Sequence, residues 1–176
     1  MKRHPVAVIH GRFQPLHWGH LEYLLAGANR AELLVVGITN PDPEMTADEP
    51  ADPARGRPES NPFTYYQRYL MVEGALRDAG IPADSLRIVP FPHSFPDRLR
   101  YYAPADAVYL LTVYDEWGNT KVDRFQGLGL VTEVMWRRTE KPISGSRVRA
   151  AIAGGEDWAE LVPPAVRRVI KEGDHA

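Results

Sequence analysis

Gly11-Arg12-Phe13-Gln14-Pro15-Leu16-His17-Trp18-Gly19-His20 lies between the apolar run Val6-Ala7-Val8-Ile9 and the stretch Leu21-Glu22-Tyr23-Leu24-Leu25-Ala26. An apolar run, a Gly/Pro turn and a helical pattern read as strand, turn and helix start. A helix N-terminus after a strand presents unpaired backbone N–H groups and the positive end of the helix dipole, which together suit phosphate. His17 and His20 are one turn apart, so both imidazoles face the same way. Gly19 between them removes a side chain where a ligand would approach. Arg12 adds a planar cationic fork just upstream. The stretch predicts a polyphosphate site.

Working outward, short apolar runs alternate with helical patterns. Residues 6–9, 32–38, 86–89, 107–111 and 131–135 read as buried strands, and 17–29, 64–79, 144–153 and 165–171 as helices. Such alternation implies right-handed βαβ units and an α/β fold, with a parallel sheet of about five strands flanked by helices. Ligands of such sheets sit beyond the carboxyl ends of the strands, where the phosphate motif falls. Residues 40–62 break the pattern, being rich in Pro, Asp and Glu, with Arg55 and Arg57 among them. They read as a solvated, mobile loop rooted at the ligand edge of the sheet, able to close over a triphosphate.

The 176 residues, 44% hydrophobic and 25% charged, fit one globular domain over 1–176. A net charge of −2 offers no basic field for nucleic acid or an anionic membrane. The chain has no cysteine, which excludes disulfides, thiolate metal sites and a cysteine nucleophile. No apolar run reaches the roughly 20 residues needed to span a bilayer. Met1-Lys2-Arg3-His4-Pro5 leads straight into the first apolar run without a signal-peptide core, so a cytoplasmic location is expected.

A second anion site is written in Lys141-Pro142-Ile143-Ser144-Gly145-Ser146-Arg147-Val148-Arg149. Ser144 is a suitable N-cap, and Ser146 and Arg149 follow within about a turn. With the first motif, this segment resembles the His-x-Gly-His nucleotidyltransferase superfamily, whose Ile-Ser-x-Ser/Thr-x-x-Arg signature holds the β- and γ-phosphates opposite the histidines. Members carry a Rossmann-like sheet and move a nucleotidyl group from a nucleoside triphosphate to an acceptor, releasing pyrophosphate. Gly11-Arg12-Phe13-Gln14-Pro15 is similar to the archaeal-type nicotinamide mononucleotide (NMN) adenylyltransferases, as is Asn61-Pro62-Phe63-Thr64 with Arg68. Their Ser-Gly-Thr-Glu-x-Arg-Arg is matched at Ser144, Gly145, Ser146 and Arg149, but its second arginine is Ala150.

Two segments depart from that branch. Phe91-Pro92-His93-Ser94-Phe95-Pro96-Asp97-Arg98-Leu99-Arg100 has no counterpart of the nicotinamide-reading stretch, and its two arginines suit a small, strongly anionic acceptor. The Ser-Gly-Asn-Pro expected after the fourth strand is replaced by Asp115-Glu116-Trp117, then Lys121-Val122-Asp123, with Arg138-Thr139-Glu140 before Ile143-Ser144. These resemble the glycerol-3-phosphate-type cytidylyltransferases, with spacing altered by a residue or two. A carboxylate beside a tryptophan accepts from the cytosine amino group and packs on its face. Cytidine is therefore placed ahead of adenine.

The resemblance implies a cytidylyltransferase passing CMP from CTP to a small phosphonate or phosphate. His17, His20 and Arg149 are the catalytic residues. Gly11, Arg12, Phe13, Gly19, Asp115, Trp117, Arg138, Ile143, Ser144 and Ser146 bind nucleotide, and Arg68, Arg98 and Arg100 bind the acceptor, although Arg68 also reads as a brace for the loop. Mg²⁺ is expected to arrive with the triphosphate. No protein metal site is expected, since His17 and His20 lack a third ligand at recognisable spacing. Homo-oligomers occur among the archaeal-type relatives. An NMN adenylyltransferase with a diverged nicotinamide pocket and a non-catalytic nucleotide-binding module are the alternatives. His4, His10, His93 and His175 carry no assigned role.

Overall fold

A computed structural model describes residues 3–50 and 52–173, so His175 lies outside the described residues. Five parallel strands, β1 (His4–Gly11), β2 (Ala31–Thr39), β3 (Leu86–Phe91), β4 (Val108–Val113) and β5 (Val131–Arg137), form one sheet in the order β3-β2-β1-β4-β5. The order reverses direction at β1, so the crevice beyond its carboxyl end is the switch point where ligands bind. The helices are α1 (Trp18–Ala28), α2 (Tyr65–Asp78), α3 (Glu116–Gly127), α4 (Gly145–Ala153) and α5 (Pro164–Gly173).

Successive β1 residues supply both faces of the sheet, as a fully covered parallel strand requires. Ala7 and Ile9 join a core with Leu24 of α1, Met71 and Val72 of α2, Val148 of α4 and Val166 of α5. Val8 faces the other way, towards Phe91, Tyr109 and, on α3, Val122 and Phe125. His10 follows Val8 on that second face, and this places it in the floor of the site.

The five strands and four of the helices fall where the periodicity predicts them. Helix α3 is the exception, being absent from the helices that the periodicity predicts. Asp115 caps this helix by accepting from the Gly118 amide at 2.9 Å. The described residues of 40–62 carry local structure as well. They contain 3-10 turns at Pro53–Gly56 and Pro58–Ser60, and Glu49 among them is 7% exposed. Main-chain oxygens hold the segment: Arg12 Nη1 donates to the carbonyls of Arg55 and Ser60, and the Asn40 and Asn61 amides donate to the Arg55 carbonyl.

Candidate active site

The turn after β1 is set by Phe13, fully buried with φ of 52°, and by the Gln14 side chain. Gln14 Nε2 donates to the Phe63 carbonyl and its Oε1 accepts from the Phe63 amide, both at 2.9 Å, so the amide mimics a strand partner. The Phe13 ring meets His20 edge-on at 5.0 Å. It positions the histidine and presents only its main chain to a ligand.

His17 and His20 cap α1 mutually. His17 Nδ1 accepts from the His20 amide at 3.3 Å, and His20 Nδ1 accepts from the His17 amide at 3.4 Å. The rings stack at 3.7 Å. An imidazole nitrogen that accepts carries no proton, so each neutral ring bears its N–H on Nε2. Burial first, then Lys141, pushes His17 down to about 4. Burial, then His17, Arg12 and Lys141, holds His20 well below its ordinary value. Both are therefore neutral donors at physiological pH. A Cβ at Gly19 would stand 3.3 Å from the His17 ring, closing the space between histidine and helix start.

The second anion site faces them. Ser144 caps α4 by accepting from the Arg147 amide at 3.2 Å. Arg149 Nη1 donates to the Gln14 carbonyl at 2.8 Å and Nη2 to Ser146 Oγ at 3.2 Å, tying α4 to the β1–α1 turn. A cavity of about 310 Å³ between the two helix starts is lined by Gly11, Arg12, Phe13, His17, Gly19, His20, Asp115, Trp117, Ile143, Ser144, Ser146 and Arg149. These expected residues are thus brought together. Burial, followed by Arg55 and Arg149, lowers Arg12 to about 10, which leaves it cationic at neutral pH.

Four expected residues are not in that lining. Arg68 is 1% exposed and spends its guanidinium on the carbonyls of Arg12 (3.0 Å), Thr39 (2.6 Å), Asn40 (2.7 Å) and Thr64 (3.2 Å). With four of its five N–H groups given to these carbonyls and the side chain buried, it is a brace for the loop roots. Arg98 is exposed beside Met45, and Arg100 stacks on Tyr101 at the surface. Both lie on the 3-10 segment Pro96–Tyr101, and neither lines the cavity. Arg138 is exposed, forks onto Glu22 at 2.8 and 3.1 Å, and covers the Trp136 ring at 4.4 Å.

The lining also holds His10, Glu49, Asp52, His93, Lys121 and Lys141, none of which has a role assigned from the sequence, and the loop arginine Arg55. Glu49 contacts Arg124 at 3.4 Å and His93 Nδ1 at 3.5 Å. Trp117 meets His93 edge-on at 6.1 Å, with Arg124 and Lys121 over its ring at 5.3 and 5.9 Å. Its indole thus belongs to a wall with the histidines and is not offered flat to a base. Burial is the main cause that brings His93 down to about 3 and Lys121 down to about 8.

Two facing helix starts at the switch point of a parallel sheet, one bearing two neutral histidines and the other a serine and an arginine, match the nucleotidyltransferase class. The chain belongs to the cytidylyltransferase-like family, whose model matches residues 8–151. It is 71% identical over 165 residues to a phosphonoformate cytidylyltransferase of Streptomyces viridochromogenes, covering 94% of this chain and 90% of that one. It is 33% identical over 168 residues to a nicotinamide-nucleotide adenylyltransferase of Methanolobus tindarius, covering 93% and 86% of the two chains. A bifunctional NMN adenylyltransferase/ADP ribose pyrophosphatase from Francisella tularensis shares the fold, with a TM-score of 0.67 at 17% identity. That match covers 98% of this chain and 54% of the longer one.

The chain is accordingly an enzyme of nucleotidyl transfer, of cytidylyltransferase type. Members of this family generally use a divalent metal together with the nucleotide. Among the described residues no group of three His, Cys, Asp or Glu side chains is gathered to hold one. The donor set fits a metal bound through phosphate oxygens and water. No helix among the described residues is long and apolar enough to cross a membrane.

Proposed function

We propose that this chain transfers CMP from CTP to phosphonoformate or a closely similar small phosphonate. The observation that carries this reading is the intact pair of phosphate half-sites in a chain 71% identical to a phosphonoformate cytidylyltransferase. A phosphonate oxygen attacks the α-phosphorus of CTP in line. One P–O bond forms to the acceptor, the α–β bridging P–O bond breaks, and pyrophosphate leaves with that oxygen and its electron pair. The attacking oxygen is already anionic, so no general base is required. Catalysis then rests on positioning and on neutralising charge in the transition state.

The Nε2–H groups of His17 and His20 donate to the α-phosphate and bridging oxygens. Ser146, Arg149 and the α4 helix start hold the leaving pyrophosphate. Arg12 adds charge near the phosphates. Mg²⁺, arriving on the triphosphate, supplies further neutralisation of its oxygens. Asp115 caps α3 through one oxygen only and can accept from the cytosine amino group with the other.

The test is pyrophosphate release with Mg²⁺, crossing CTP and ATP against phosphonoformate and NMN. Release with CTP and phosphonoformate is expected. Release confined to ATP and NMN overturns the reading, and nucleotide binding without release from any pair would make the chain a binding module.

A further inference from the structure

At the α3 end of the cavity, three side chains carry polar atoms that no bond among the described residues satisfies. His10, 7% exposed, has neither ring nitrogen bonded. His93, 9% exposed, leaves Nε2 unbonded, and Trp117 buries an unbonded Nε1–H. Successive ring centroids are 6.1 Å apart from His10 to His93 and 6.1 Å from His93 to Trp117, so the three make one wall. All of them line the cavity. Buried polar groups without partners are rare and costly, and three in one wall mark a ligand site.

The charge of the wall says what the ligand is. Lys121 lies one turn along α3 from Trp117 and has no carboxylate partner among the described residues. Three carboxylates border the cavity against five cationic side chains, Arg12, Arg55, Lys121, Lys141 and Arg149. Glu49 meets Arg124 and His93, Asp52 meets Arg55 at 2.9 Å, and Asp115 accepts from the Gly118 amide. The excess charge is therefore positive. Lysine ammonium and indole N–H donate and cannot accept, so the group they bind must be an acceptor. A carboxylate meets that condition with both oxygens and also answers the positive charge, which a neutral amide leaves unmet.

The geometry points to this wall as the acceptor subsite, in which Lys121 and Trp117 Nε1–H hold the carboxylate of a small phosphonocarboxylate. Neutral His10 and His93 complete the wall, and the phosphonate lies towards His17 and His20. The assignment rests on the phosphonate-acceptor reading above. It names Lys121 and Trp117 as the residues that separate a carboxylated phosphonate from an uncarboxylated one.

The experiment is isothermal titration of phosphonoformate and of methylphosphonate into the full chain with Mg²⁺ and a non-hydrolysable CTP analogue. It is run on wild type, Lys121→Met and Trp117→Phe, alongside pyrophosphate release from CTP. Wild type is expected to prefer phosphonoformate by roughly tenfold or more, the scale of one charge-assisted hydrogen bond. Each substitution should bring that preference towards one. Using two variants keeps the test decisive should one of them fail to fold. A preference unchanged within about twofold in a folded variant overturns the subsite, as does a wild type with no preference. A wild type that prefers phosphonoformate but releases no pyrophosphate keeps the subsite and overturns the proposed transfer.

Discussion

In the proposed reaction His20 serves the helix with one nitrogen and the nucleotide with the other. Its Nδ1 accepts from the His17 amide, which fixes the proton on the nitrogen that faces the cavity. His20→Ala removes both functions. Turnover should fall by about 10²–10³-fold or more, as for loss of a transition-state hydrogen bond, while the lost cap costs only ~1 kcal/mol of stability. Steady-state kinetics with circular dichroism separates the two effects, and retained activity would overturn the role. Arg68 behaves in the opposite way. Arg68→Met takes the guanidinium donor from carbonyls of the β1 turn and the β2 end, while the Thr64 carbonyl at the α2 start keeps the main-chain N–H of residue 68. Denaturant unfolding should show a loss of roughly 3 kcal/mol or more. The KM for acceptor should change only as far as the loop roots move.

At the scale of elements, the close approach of β2 to β3 decides whether the floor of the site forms. A Cβ at Gly37 would fall 2.4 Å from Phe91 Cδ2, so only glycine lets the ring lie across the strand. Phe91 in turn stacks on His10 at 4.9 Å. Gly37→Ala should therefore cost about 1–3 kcal/mol by overpacking and raise the acceptor KM more than the CTP KM, because His10 moves with Phe91. A thermal melt and separate KM measurements check both. Helix α3 shows why part of the site was illegible in the sequence. Gly118, Asn119 and Thr120 are poor helix formers, and only Gly118, Val122 and Phe125 are buried, which leaves little helical period to read. The helix instead depends on the Asp115 cap and on Gly118, where a Cβ would stand 3.0 Å from Val113 Cα. The phosphate motifs were legible because each is contiguous and sits at a helix start. His10, Glu49 and His93 gave no such signal, since they come from a strand end, a polar loop and a turn that meet only in the folded chain.

Across the whole molecule, the buried histidines set the response to acid. His17 and His93 are held at about 4 and about 3 chiefly by burial, and burial also keeps His10 and His20 well below 6.5. The folded chain keeps them neutral while the unfolded chain protonates its histidines below about 6.5. Between about 6.5 and 4 the unfolded state binds more protons, so stability falls as pH falls through that window. The melting temperature should be level above pH 7 and drop by roughly 5 °C or more by pH 5. A flat profile would mean that these rings protonate in the fold. His17→Asn, whose amide oxygen can still cap α1, should flatten the slope in part.

Three donors from outside the 3-10 turns, on Arg12, Asn40 and Asn61, converge on one oxygen of the segment roofing the cavity, the Arg55 carbonyl. A carbonyl belongs to every residue, so these anchors do not depend on which side chain stands at 55. The roof can thus be re-lettered at Ala47, Asp52 and Arg55, which border the cavity, without cutting the main-chain attachments. For natural divergence and for laboratory evolution alike, it is an interchangeable part bolted to a constant frame.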